Sequence, residues 1–229
     1  MGDMPLPQDG DAFEVTVLWP SSASRCVLFA AGRGGNPLRH LGLLQALADE
    51  GMQVVAPHFD MLASPVPTAV ELLERTRRLS LATAGHCLPG LPVVGLGHSI
   101  GTVALLLLAG AEADTLAGER VRAVEGLPVD RLALLAPPTD FFRRPGSLAS
   151  VTVPLGVWAG DGDTITPPAQ AAFLREAIDT AVPVDIHVVE GAGHFTFMNE
   201  LPPHVVDTYP DRAAFLRTLA EDVRRFLAA

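Results

Sequence analysis

The sequence predicts an α/β protein with one mostly parallel sheet of about seven strands and helices on both faces. Three observations carry that prediction. Short β-branched and apolar runs alternate with longer segments of helical spacing along nearly all of the 229 residues. Hydrophobic residues make up 48% of the chain and charged residues only 18%, so a large core can be buried without cross-links. The 20 prolines mostly mark segment ends, and no repeat or flexible linker divides the chain, so residues 1–229 are expected to form a single domain.

Strands are expected over 13–18, 26–30, 53–56, 92–96, 131–135, 154–158 and 184–189. The first two are joined only by "WPSSASR", too short for a crossover helix, and are expected to pair as an antiparallel hairpin at one end of the sheet. Helices are expected over 37–50, 68–84, 99–113, 168–179 and 211–227. Asn36 caps the first, Pro37 opens it and Gly51 stops it. In the second, Val70, Leu73, Leu79 and Leu81 are expected to face the core, with "ERTRR" facing water.

A formal charge of -10, from 16 basic and 26 acidic residues, argues against nucleic acid or an anionic membrane as partner, since either needs a concentrated basic face. The basic clusters Arg75, Arg77, Arg78 and Arg143, Arg144 are short and read as solvated charge. Two cysteines make no disulfide framework, and Cys26 and Cys87 are expected to be reduced packing residues. The start "MGDMPLPQDGD" lacks the basic-then-apolar order of a signal peptide, and Gly2 lacks the myristoylation spacing. No apolar stretch is long and clean enough to span a bilayer, so a cytoplasmic location is expected.

In an open parallel sheet, ligands bind outside the carboxyl ends of the strands. After strand 92–96 comes Gly97-His98-Ser99-Ile100-Gly101, then a helical pattern. A sharp strand-to-helix turn there lifts the Ser99 hydroxyl above the sheet, and the glycines make room for it. An ordinary turn with a serine cap is the plain alternative. A dinucleotide fingerprint fails because Ile100 stands where its third glycine belongs.

A serine hydroxyl needs a base within hydrogen-bond reach, and the base needs an orienting group. The loop Ala159–Pro167 carries Asp161 and Asp163, and Asp140 follows the preceding strand. After the last strand, Gly191-Ala192-Gly193-His194-Phe195 presents a histidine in a glycine-rich turn. After strand 26–30 comes Ala31-Gly32-Arg33-Gly34-Gly35, which on its own reads as a flexible glycine loop or a phosphate cradle lacking G-K-S/T.

These segments resemble the motifs of the α/β-hydrolase family. Gly97–Gly101 is similar to its G-x-S-x-G nucleophile elbow. Gly160, Asp163, Ile165 and Pro167 match its acid loop, Gly191–His194 its base turn, and residues 31–35 its H-G-x-G-G loop with Ala31 in the histidine place. The resemblance implies Ser99, Asp163 and His194 as nucleophile, acid and base. It also implies the backbone N–H groups of Arg33 and Ile100 as oxyanion donors. The stretches "SLASVTVPLGVWAGDGDTITPP" and "GAGHFTFM" look similar to the dienelactone-hydrolase-like branch. Enzymes of that name typically use cysteine. Ser99 stands here, so a carboxylic ester is the expected substrate.

That reading makes the protein a serine esterase with a small-molecule ester (or lactone or thioester) as its partner. No cofactor is implied, and no metal, because no His/Cys/Asp cluster has ligand spacing. The connection 136–152 is too short for a helical cap, so an open site for small or medium esters is expected. Gly32, His58, Phe141, Phe142 and Phe195 are the candidate pocket-lining residues, with core burial the alternative for the aromatic ones. Arg33 and Arg143 are candidates to attract an acidic substrate, or are simply solvated; His98 is assigned to packing. Acyl transfer, cofactor-free perhydrolysis, or ligand holding without turnover would use the same pocket.

Overall fold

The computed structural model describes residues 12–229; the opening segment "MGDMPLPQDGD", read above for targeting signals, lies outside them. The elements run β1 (Val15–Leu18), β2 (Arg25–Ala30), α1 (Leu41–Asp49), β3 (Met52–Pro57), α2 (Ala69–His86), β4 (Val93–His98) and α3 (Ile100–Leu108). Then come β5 (Glu112–Asp114), β6 (Arg120–Arg122), β7 (Leu132–Leu135), β8 (Leu155–Gly160), α4 (Pro168–Ala177), β9 (Val184–Val189) and α5 (Arg212–Ala228).

Seven strands form one sheet in the order β1-β3-β2-β4-β7-β8-β9. Every pairing in it is parallel except that of β1. The helices α1 and α5 pack together, as do α2 and α3, forming the layers over the sheet. The strands β3, β7 and β8 are buried along their whole length, as near-continuous apolar runs in a doubly covered parallel sheet should be.

The expected hairpin is not formed. β1 runs antiparallel to β3, with Val15 opposite Pro57 and Leu18 opposite Val54. Both edges of β2 are taken by β3 and β4, so the outer edge of β3 is the one left for β1. The helix expected over 99–113 stops at Leu108. Gly110, at φ 101°, turns the chain into the two-stranded ribbon β5-β6, which the sequence reading missed.

The helix α2 opens with a reciprocal cap, in which Glu71 N–H donates to Thr68 Oγ1 and Thr68 N–H to Glu71 Oε2. Its buried face is not the expected one. Ala69, Leu72, Arg75, Thr76, Leu79, Ala82 and Thr83 are buried, whereas Val70 and Leu81 are about half exposed. The helix is rotated by roughly one residue, about 100°, from the assumed stripe. Arg75 therefore lies inside the protein at 2% exposure, which corrects its reading as solvated charge.

Cys26 and Cys87 are also not reduced. A disulfide joins the start of β2 to the residue that ends α2, across 61 residues of sequence. Such bonds persist in oxidising surroundings. Between β7 and β8 stands only a short 3-10 turn, Asp140–Phe142, so no helical cap is inserted there. No helix among the described residues is long and apolar enough to cross a membrane.

Candidate active site

At the carboxyl end of β4 the chain turns into α3 through Ser99, whose φ of 54° and ψ of -130° are strained for a residue with a side chain. Bonds on both sides hold it there. Its N–H donates to Leu135 O at 2.9 Å, and its carbonyl accepts from Thr102 N–H at 2.9 Å and Thr102 Oγ1 at 2.7 Å. The following glycine is needed because the turn presses against β2: a Cβ at Gly101 would lie 2.1 Å from Ala30 O.

The loops after β8 and β9 bring the other two groups to this hydroxyl. His194 Nε2 lies 2.9 Å from Ser99 Oγ, and His194 Nδ1 lies 2.8 Å from Asp163 Oδ2. The two loops fit closely because Gly160 has no side chain, its Cβ position being 2.0 Å from Ala192 O. Asp161 caps the arrangement by accepting Gly191 N–H at 2.6 Å. Asp140 sits elsewhere, bonded to Arg143 and Gln170.

The Asp163 carboxylate accepts from the N–H groups of Ile165 and Thr166, both at 2.8 Å, and from Thr166 Oγ1 at 2.6 Å. Burial alone would raise its pKa. The hydrogen bond and charge of His194, with the Thr166 hydroxyl and amide, outweigh burial and hold it down to about 2. An ionised carboxylate only accepts, so His194 Nδ1 donates to Asp163 and Nε2 is the nitrogen turned to the Ser99 hydroxyl.

Thr166 was given no role by the sequence reading. Its hydroxyl touches Asp163 Oδ2, His194 Nδ1 at 3.0 Å and Ala136 O at 3.2 Å. The available signal was a hydroxyl residue three positions after the acid, the spacing at which an Asp side chain closes a turn.

His98 packs as expected, and it does more. It is buried beside His40 and His194, with ring centroids 5.0 and 5.1 Å away, and its Nε2–H donates to the His194 carbonyl at 3.0 Å. Burial, reinforced by its histidine neighbours, pushes its pKa well below the usual imidazole range, so it is neutral.

The amides of Arg33 and Ile100 donate to no protein acceptor among the described residues. Gly32 lies against the elbow, a Cβ there being 3.3 Å from Ser99 Cβ. Phe195 stands edge-on to His194 at 5.2 Å, and Phe141 is half-buried against the core.

Two pocket candidates are displaced. His58 turns toward β1, with Nε2 2.9 Å from Thr16 Oγ1, and Phe142 is wholly buried in the core. Of the two arginines, Arg143 is bonded to Asp140 and lies 4.1 Å over the Phe173 ring. Arg33 donates to the carbonyls of Leu62 and Ala63 at 3.3 and 3.4 Å. Both side chains are taken up by these protein partners.

No family model and no curated protein matches this sequence. Solved structures do. Thermogutta terrifontis esterase 2 phosphorylated by paraoxon is 16% identical, with 96% of this chain and 90% of that chain covered and a TM-score of 0.67. The propionate-bound form of that esterase gives the same identity and coverage with a TM-score of 0.65. An alpha-beta serine hydrolase homologue from Coxiella burnetii is 20% identical, with 94% and 91% covered and a TM-score of 0.60. The sheet order, the turn at Ser99 and these likenesses together make this the fold of the α/β hydrolases.

Proposed function

We propose that the protein is a serine hydrolase that cleaves small or medium carboxylic esters through an acyl-enzyme, with Ser99 as nucleophile, His194 as base and Asp163 as orienting acid. The observation that carries this reading is the unbroken chain of hydrogen bonds from Ser99 Oγ through both nitrogens of His194 to Asp163.

In the first step His194 Nε2 takes the Ser99 proton as Oγ attacks the ester carbonyl. The carbonyl oxygen gains the negative charge, and the unengaged amides of Arg33 and Ile100 are the donors assigned to it. Collapse of the tetrahedral intermediate breaks the bond to the alcohol, which leaves with the proton held on Nε2. Water, activated by the same nitrogen, then attacks the acyl-serine and releases the acid.

Small acyl groups suit the short, helix-free connection between β7 and β8, and propionate and butyrate are the molecules bound in two of the esterase 2 structures. We place the chain nearest the dienelactone-hydrolase-like branch, with serine in place of its usual cysteine. The Cys26–Cys87 bond weighs against the reducing cytosol as its place of action.

The test is hydrolysis of a panel of aryl and alkyl esters by the wild-type protein and by Ser99→Ala. The wild type should favour short acyl chains, and the variant should lose at least about 10⁴-fold in kcat/KM. A protein that binds ligands without turnover would give equal, background rates for both.

A further inference from the structure

We infer that Arg75 is the positioning residue of the oxyanion-binding loop, turning the Arg33 N–H toward Ser99 by holding the carbonyl on the opposite side of the same peptide plane. The inference rests on the hydrolytic reading of Ser99.

Arg75 reaches from the buried face of α2 into the loop after β2. Its Nη1 donates to Ala31 O at 2.9 Å and Gly32 O at 3.2 Å, and its Nη2 to Arg33 O and Asp60 O, both at 3.4 Å. Three consecutive carbonyls of the loop are thus drawn to one guanidinium. In a trans peptide the C=O and N–H point in opposite directions, and no peptide bond among the described residues is cis. With the Gly32 carbonyl aimed at Arg75, the Arg33 N–H aims away from it. Gly32 is also where this loop meets the elbow.

The chain carries a substantial cost for this arrangement. A guanidinium at 2% exposure is expensive to bury, and no carboxylate lies within ion-pairing distance of it among the described residues. Carbonyl dipoles, the face of Phe59 4.6 Å from the guanidinium carbon, and the more distant carboxylates of Glu71 and Asp60 favour its charge in place of a direct ion pair. Burial lowers its pKa to about 10, which leaves it charged at neutral pH. A merely structural position on a buried helix face would be filled more cheaply by leucine or methionine. The cation also polarises the peptides it grips, which strengthens their N–H groups as donors to a developing oxyanion. Ala31 occupies the place where the resembled loop has its histidine. Within the loop the Gly32 carbonyl also accepts Gly35 N–H at 3.0 Å, so the guanidinium reaching in from α2 is a second brace on the same peptide and, among the described residues, the only one that carries charge to it.

The experiment compares Arg75→Met and Arg75→Lys with the wild type on a matched pair of substrates, an aryl ester and its thionoester. Sulfur is a weak acceptor, so hydrolysis of the thionoester depends less on backbone donors. In Arg75→Met, kcat for the oxygen ester should fall roughly 10- to 100-fold with KM little changed, part of the loss seen when an oxyanion donor is removed. The thionoester should lose much less, so the ratio of the two rates falls. Arg75→Lys keeps the charge but spans fewer of the four carbonyls and should fall between. A folded Arg75→Met with the wild-type rate, or with equal losses on both esters, overturns the positioning role. If Arg75→Met does not fold, Arg75→Lys with the wild-type rate and ratio overturns it. A wild-type protein inactive on both esters is the separate result that sinks the hydrolytic reading itself.

Discussion

The Thr166 hydroxyl lies 2.6 Å from Asp163 Oδ2, inside the same cluster as His194 Nδ1. It donates to the carboxylate while its lone pairs face the histidine N–H, so it fixes both partners at once. Hydrogen bonds to charged groups contribute about 1.5–3 kcal/mol. Thr166→Val, which keeps the shape and removes the hydroxyl, should therefore lower kcat roughly 10- to 100-fold with KM nearly constant. Thr166→Ser should restore most of the loss. Steady-state kinetics of the two variants checks this; equal defects in both would mean the methyl packing matters and the hydroxyl does not.

The row of buried histidines makes the fold sensitive to acid. Burial lowers the pKa of His40 to about 3 and that of His98 well below the usual range, whereas in the unfolded chain both protonate near 6.5. As pH falls below that value the unfolded chain binds more protons than the folded one. Stability that is fully present above about pH 6.5 is then lost by about 1.4 kcal/mol per pH unit for each histidine. Asp163 acts in the same sense below its unfolded value, since its pKa is held down to about 2. Urea midpoints measured from about pH 7 to about pH 5 should fall steeply. His40→Phe, whose ring would pack on Phe29 as His40 does at 5.0 Å, should remove about half of that slope. A midpoint independent of pH in the wild type contradicts the account.

The disulfide should affect stability and leave the chemistry alone. Cys26 is opposite Val93 at the start of β4, whereas Ser99 follows its other end. Closing a 61-residue separation restricts the unfolded chain by about 4 kcal/mol on the loop-entropy account. Cys26→Ala/Cys87→Ala should unfold at markedly lower denaturant and hydrolyse esters at the wild-type rate at room temperature. A rate defect in the folded double variant would show that the two ends of the sheet are coupled.

The legible parts of the sequence were those in which local pattern and function coincide. Ser99, Asp163 and His194 each follow a strand end; Gly101 and Gly160 mark close backbone approaches and Gly191 turns at φ 75°, so the turns declared themselves. What stayed hidden depends on contacts far apart in sequence. Nothing within 13–30 says that β2 has both edges occupied and that β1 must cross to β3. The phase of α2 was set by counting Val70, Leu73 and Leu81 as core, but the helix faces a loop of carbonyls as well as apolar strands. The residue it buries there is an arginine. The Cys26–Cys87 contact likewise joins a strand start to a helix end that no local spacing connects.

The most direct test of the central claim is the mass of the intact protein after treatment with a fluorophosphonate, followed by mapping of the modified peptide. An activated hydroxyl predicts a single adduct on Ser99 that forms quickly in the wild type and is lost in Ser99→Ala and His194→Ala. A folded wild-type protein that gains no adduct, or gains it at another residue while still cleaving esters, would contradict the account.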